Sequence, residues 1–265
     1  MKKVIFCAAA LMAGSMVFAQ TNTSNVTQMG TGNYGTVDQV GTMNMSNVDV
    51  NGNTNGVDID QSGANNSSDH DVYPDATYGG GDNNWVKVDQ VGTDNISVTL
   101  QTGNNFSADV KQDGSGHMST VNQLHFDGLY DGAGGVWVEQ YGTNQESLVE
   151  QAGVAGGRAY VKQYNANNIS AIYQQSEDEL ARVTQYGDMN DSYVSQNASL
   201  DVNGGLATFS NVADVWQDGV ENTSSVTQDG FGGENVANIQ QYGNTHNSVL
   251  TQTGIGNNMT VIQND

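Results

Sequence analysis

The sequence predicts an all-β chain: a β-solenoid of about nine two-strand coils, each coil a repeat of about 22 residues, with the strands stacked into two parallel sheets. Three observations predict it. A glutamine-centred phrase recurs mostly every eleven residues, apolar and polar side chains alternate within each phrase, and glycine and asparagine follow at fixed places.

With the glutamine as position 0, the phrase falls at Gln28, Gln39, Gln61, Gln90, Gln101, Gln112, Gln123, Gln140, Gln151, Gln163, Gln174, Gln185, Gln196, Gln217, Gln228, Gln241, Gln252 and Gln263, with Val50 once in the glutamine's place. These make nineteen units, and thirteen of the eighteen intervals are eleven residues, so the period belongs to the whole chain. Position −2 is Val, Ile or Leu in all but one unit, Thr99 being the exception, and position −4 is Ser, Ala or Gly in fifteen. Side chains alternate across a strand, so −4, −2 and 0 share one face and the mostly polar −1 lies on the other. Gly at +2 in fourteen units, and Asn at +5 as at Asn33, Asn44, Asn55, Asn66, Asn95 and Asn190, are read as turn residues that tolerate a left-handed backbone. Period-two alternation and a turn every few residues exclude a helix.

Taken in chain order, residues 1–19 read as a secretory signal peptide: Lys2 and Lys3 precede the apolar run Val4 to Phe18, which ends at Ala19. The single cysteine, Cys7, lies inside it, so the exported chain has no disulfide and no thiolate metal site. Residues 20–265 read as one repeat solenoid with insertions near 67–84, 126–135 and 198–211. No later run is apolar enough to span a bilayer. Without Lys2 and Lys3, five basic residues face 29 acidic ones, a net charge of −24 that makes nucleic acid and anionic lipid poor partners.

The irregular intervals follow Gln61, Gln123, Gln151, Gln196 and Gln228, units 4, 8, 10, 14 and 16 of the series, all even. If odd and even units build separate sheets, the insertions leave from one edge of the coil. In the odd units the outward residues Asp89, Lys111, Glu139 and Lys162 alternate in sign, and Lys87, Arg158 and Arg182 also fall there, which places every basic residue after the leader on one sheet. The same numbering puts Asp38 and Asp60 on successive rungs of the even sheet, and Asp49 and Asp89 on the odd one. Inside, each glutamine is expected to bond to the glutamines one rung above and below, because a buried amide needs partners. That ladder is structural and not a chemical site.

At this point the residues resemble a family. The phrase Ser-x5-Gln-x-Gly-x2-Asn-x-Ala-x3-Gln is the curlin repeat of curli subunits. The chain resembles it at Ser24 to Gln39 (SNVTQMGTGNYGTVDQ), one residue short in the first spacing and with Gly35 for the alanine, at Ser224 to Gly230 (SSVTQDG), and at Ser248 to Asn257 (SVLTQTGIGN). The resemblance implies a functional amyloid subunit, exported unfolded through a dedicated outer-membrane pore, nucleated at the cell surface by partner proteins and built into biofilm fibres. Curli subunits have about five coils and a glycine-rich segment before the repeats; this chain has more coils, long insertions and no such segment.

The first unit starts just after the leader and Gln263 stands close to Asp265, so neither end is expected to carry a capping repeat. Open parallel edges at both ends would stack copies head to tail into a filament.

Other chemistry has little support. His70, His117, His125 and His246 are scattered without zinc-type spacing. The acidic stretch SSDHDVYPDATYGGGDNN (67–84) reads as solvated turn with at most weak calcium binding, and no nucleophile and base stand together. The expectation is a non-enzyme without cofactor or metal: a secreted, cell-surface fibre subunit of the biofilm matrix involved in adhesion, with itself and curli-type secretion and nucleation proteins as partners. The alternative is a monomeric solenoid adhesin that binds glycan or another surface through its insertion edge. Tyr73, Tyr78, Trp85, Phe126, Tyr130, Trp137 and Phe209 are counted to that edge, where they are read first as covering the bulged side of the solenoid and second as an adhesive or sugar-binding surface.

Overall fold

The computed structural model describes residues 21–74, 81–124, 134–152, 156–176, 178–198, 211–230 and 234–265. The leader predicted at 1–19 lies outside them, as do Tyr78, His125, Phe126, Tyr130 and Phe209.

Among the described residues, alternation of inward and outward side chains gives twenty strands in two ten-stranded sheets, all neighbours parallel and in register. The first sheet stacks β1 (Thr23–Met29), β3 (Met45–Asn51), β5 (Ser67–Tyr73), β7 (Ile96–Thr102), β9 (Met118–Leu124), β11 (Glu146–Ala152), β13 (Ile169–Gln174), β15 (Asp191–Ala198), β17 (Thr223–Gly230) and β19 (Asn247–Thr253). The second stacks β2 (Tyr34–Thr42), β4 (Gly56–Ala64), β6 (Trp85–Thr93), β8 (Ser107–Ser115), β10 (Gly135–Thr143), β12 (Arg158–Ala166), β14 (Leu180–Asp188), β16 (Val212–Val220), β18 (Val236–Asn244) and β20 (Asn258–Asn264). Each coil contributes one strand to each sheet.

The β-solenoid therefore has ten coils, one more than the repeat count suggests. The additional rung is β5, inside the stretch 67–84 that reads as insertion. Its inward residues are Ser68, His70 and Val72, so it has lost both the glutamine and the aliphatic residue that mark a unit. Every unit after Gln61 consequently shifts by one strand. Asp89 joins Asp38 and Asp60 in the second sheet, whereas Asp49 partners Asp71 in the first. The expected stacking of Asp49 with Asp89 is thus incorrect.

The insertions still share an edge. The irregular connections run from β5 to β6, β9 to β10, β11 to β12, β15 to β16 and β17 to β18, always from first sheet to second. β14 pairs directly with β16 and β15 with β17, so no rung stands between them. The basic residues behave as expected: Lys87, Lys111, Arg158, Lys162 and Arg182 all lie on the second sheet. There Asp89, Lys111, Glu139 and Lys162 stand on successive rungs, with a Lys162–Glu139 ion pair of 3.1 Å.

The core lies between the sheets. Val48, Ile59, Val88, Val110, Val121, Val138, Val149, Val161, Ile172, Val183, Val194, Val215, Val226, Ile239 and Leu250 occupy −2 and are buried. Burying each such side chain contributes about 1.5–3 kcal/mol. Position −4 differs between the sheets. It is serine on all ten strands of the first, and Gly35, Val57, Val86, Ala108, Val136, Ala159, Ala181, Ala213, Ala237 and Met259 on the second. Small side chains let the sheets approach. At the end of the row the Ser248 hydroxyl accepts from Gln241 Nε2 (3.2 Å) and donates to Gln263 Oε1 (2.7 Å), whereas the hydroxyls from Ser46 to Ser224 are buried without a partner and nothing in the structure explains them over a methyl group.

Candidate functional site

The feature this fold repeats is a set of side-chain amides in register. In the second sheet the Nε2 of each glutamine donates to the Oε1 of the next, from Gln39 to Gln61 (2.7 Å) without a break to Gln241 and Gln263 (2.9 Å). The same nitrogen also donates to a backbone carbonyl of the first sheet, as Gln112 does to Ile96 (2.9 Å) and Gln163 to Glu146 (3.0 Å). Each amide thereby ties rung to rung and sheet to sheet.

The first-sheet ladder runs through Gln101, Gln123, Gln151, Gln174, Gln196, Gln228 and Gln252. It stops at Gln101, because Val72 and then Val50 occupy the rungs before it. Gln28 is cut off from the ladder, and the buried Oε1 of Gln101 has no donor. The gap coincides with His70, which is fully buried over Thr99 with both ring nitrogens unpartnered. Burial pushes the His70 imidazole down to about 3.

The asparagines at +5 form a second bracket, and here the sequence reading needs correcting. The left-handed residue is the one before them, as at Met43, Asn65 and Met189, with φ of 58°, 57° and 58°. Asn44, Asn55, Asn66, Asn95 and Asn190 are buried instead. Asn44 Nδ2 donates to Val40 O (3.1 Å) in its own turn and to Gly63 O (3.2 Å) on the next rung, while its Oδ1 accepts from Asn66 N (3.1 Å). Glycine at +2 is required for a further reason than φ: a Cβ on Gly41 (φ 113°) would overlap the Gly63 carbonyl oxygen of the neighbouring coil.

Three positions in the asparagine rows hold titratable side chains: His117, Glu179 and His246, whose Nε2 contacts Tyr242 O (2.9 Å). His117 takes an asparagine's place and its Nδ1 accepts from Gln145 N (3.4 Å). Glu179 accepts from Gln175 N (3.0 Å), Ser176 N (3.2 Å), the Ser176 hydroxyl and Asn211 Nδ2 (3.4 Å). Burial outweighs these donors and pushes the Glu179 carboxyl up to about 8. Outside the coil, burial first and then Asp58, Asp89 and Asp38 raise the Asp60 carboxyl, with Lys87 opposing.

Residues 81–114, which cover the turn before β6, all of β6 and β7 and most of β8, match the family model described as the curlin associated repeat. That segment carries a curlin repeat. No curated protein matches the chain. The curlin repeat here is a strand with inward Gln at 0, a glycine permitting close approach at +2 and a bracketing amide at +5. The parallel register runs from β1 to β20, with the glutamine replaced by valine on β3 and β5. Among the described residues no cluster of three or more His, Cys, Asp or Glu is placed to hold a metal, and no helix is long and apolar enough to cross a membrane. Of the aromatics counted to the insertion edge, the described ones lie in strands beside it: Tyr73 ends β5 and Trp85 opens β6, on either side of the β5–β6 connection, and Trp137 near the start of β10 stacks on Tyr160.

Proposed function

We propose that the chain is a secreted, curli-like fibre subunit that stacks head to tail in an extracellular matrix, serves adhesion and carries no catalytic step. The curlin repeat supports a fibre subunit in general. The observation that carries the finer reading is the pair of terminal rungs. Among the described residues no strand covers the outer edges of β1 and β2 or of β19 and β20, and their inward Val26 and Met259 are 48% and 47% exposed. An uncovered parallel edge templates another strand of the same register. The ladder has a direction as well: Gln263 offers amide hydrogens at one end and Gln39 a free Oε1 at the other, so one copy can continue the next. Curli-type secretion and nucleation proteins are the partners this reading implies.

Electron microscopy of the mature chain over time tests it. Fibres with a meridional reflection near about 4.8 Å are expected; a chain that stays monomeric for days refutes the reading. Burial and then the charges of Asp58, Asp89 and Asp38 raise the Asp60 carboxyl, so its protonation relieves repulsion on that row. Thioflavin-monitored growth should therefore be faster at pH 4.5 than at pH 7, because a raised carboxyl takes up its proton earlier as pH falls. Equal rates would remove that restraint from the account.

A further inference from the structure

The outward face of the second sheet holds a run of aromatic side chains that neither packs the core nor belongs to the amide ladders. At position +1, Tyr141 of β10 and Tyr164 of β12 are partners in register, with ring centroids 5.2 Å apart and planes within 8°. Tyr164 and Tyr186 of β14 stand closer still, at 4.5 Å and 4°. Along position +1 the run is bounded by Asp113 of β8, the partner of Tyr141, and Asp218 of β16, the partner of Tyr186, while Trp216 at −1 of β16 stands 5.0 Å from Tyr186 with its plane tilted by 42°. All three tyrosines are half-buried, so solvent and small oxidants reach them.

The orientation of the rings decides what such a run can do. Parallel planes on successive rungs put the ring normals along the stacking axis, so the sheet presents ring edges and hydroxyls outward. A sugar stacks on a ring face and finds none offered here along the run. What the arrangement favours is chemistry between neighbouring rings, which it holds at van der Waals separation.

We propose that Tyr164 and Tyr186 are an oxidative cross-linking site, joined as dityrosine by a haem peroxidase with hydrogen peroxide. Each phenol loses one electron and one proton and becomes a phenoxyl radical. The two radicals couple through ring carbons ortho to the oxygens, forming one carbon–carbon bond. The two ortho hydrogens then move to the oxygens, so both hydroxyls are restored. One peroxide accepts the two electrons and two protons and leaves as two waters. Burial and Tyr186 raise the Tyr164 phenol, which therefore enters the reaction protonated.

Selectivity follows from proximity, because a radical held against its partner couples before it diffuses to another. Tyr141 lies farther from Tyr164, and Tyr173 and Tyr193 on the first sheet are 5.5 Å apart and tilted by 40°. The product would tie β12 to β14 across a chain segment of 22 residues, from 164 to 186, restricting the unfolded chain as a disulfide does in a protein that has no cysteine outside its leader. The inference does not depend on fibre formation.

The test uses the mature chain, kept monomeric by dilution as verified by light scattering, with a haem peroxidase and hydrogen peroxide. Cleavage after Lys162 and Arg182 places Tyr164 with Tyr173 on one peptide and Tyr186 with Tyr193 and Tyr242 on another, so the joined pair, lighter by two hydrogens, is found by mass and its linked residues are assigned by fragmentation. Tyr164→Phe, which keeps a ring in the stack, should abolish most dityrosine fluorescence. Tyr186→Phe should leave only the Tyr141–Tyr164 product, and Tyr173→Phe should change nothing. Links mapping mainly to other tyrosines or between copies, unchanged fluorescence in Tyr164→Phe, or no dityrosine in the wild type would overturn the proposal.

Discussion

Replacing Gln140 by valine, the residue that stands at 50 and 72, probes the ladder at mid-stack. The substitution removes the acceptor of Gln112 Nε2 (2.9 Å), the donor to Gln163 Oε1 (2.9 Å) and the donor to Met118 O (3.1 Å). Gln112 Nε2 keeps its bond to Ile96 O, so its loss is partial, whereas Gln163 Oε1 is left as Gln101 Oε1 already is, buried without a donor. An orphaned buried acceptor costs about 1–3 kcal/mol and a lost ordinary bond about 1 kcal/mol, so the sum is about 2–4 kcal/mol. The same change at Gln263, on a partly exposed end rung where water can replace lost partners, loses the bonds from Gln241 and the Ser248 hydroxyl and the bond to Asn247 O, and should cost about 1 kcal/mol. Stacked coils need not unfold as one unit, so hydrogen exchange of the β8, β10 and β12 amides is the assay, supported by urea titration. Equal effects at Gln140 and Gln263 would refute the view that the buried ladder, and not strand pairing alone, holds the rungs.

The other predictions concern the places where the repeat lapses. Val72→Gln alone moves the orphaned acceptor one rung and should leave stability nearly unchanged, whereas Val50→Gln with Val72→Gln joins Gln28 to Gln101 and should stabilise by about 1 kcal/mol in urea titration. Ser147→Ala deletes a buried hydroxyl without a partner and should be neutral or stabilising by up to about 1 kcal/mol, measured the same way. His70 binds its proton less readily in the fold than when unfolded, so the stability it leaves intact above pH 6.5 is lost as pH falls toward 3, by up to about 1.4 kcal/mol per pH unit. In His70→Val, acid-induced exchange at β5 should disappear. Glu179 has the opposite sense: its raised carboxyl makes stability fall as pH rises from 4.5 through about 8, and Glu179→Gln should flatten the stability profile over that window.

The two-sheet, in-register architecture was legible because stacking demands the same side chain at every rung, so a single spatial rule is written many times in one dimension. β5 was not legible because His70 and Val72 replace the two residues that define a unit, while burial and pairing come from strands distant in sequence. The asparagine rows were found at the right positions but assigned the wrong role. Asparagine is common both in left-handed turns and in buried amide brackets, and only the backbone angles of Met43 or Asn65 separate the two. Glu179 and His117 could not be singled out in a chain with 29 acidic residues and four histidines, because what distinguishes them is the row they interrupt. The serine row of the first sheet was visible in every copy, yet grouping serine with alanine as merely small concealed that the two inner faces differ.

All the irregular connections leaving first-sheet strands gives the molecule a tolerant flank and a strict one. On the strict flank, from β2 to β3 and its equivalents, the connections stay short. A change in length there would displace Gly41, Asn44 and their counterparts from the carbonyls they serve on the next coil. On the tolerant flank extra residues leave the register on either side intact, as direct β14–β16 and β15–β17 pairing demonstrates. Such a chain can lengthen along its axis by copying a rung or broaden by elaborating one side. If copies stack, whatever that side displays would be repeated at fixed intervals down the filament, as a ribbon of cargo on an otherwise invariant spine.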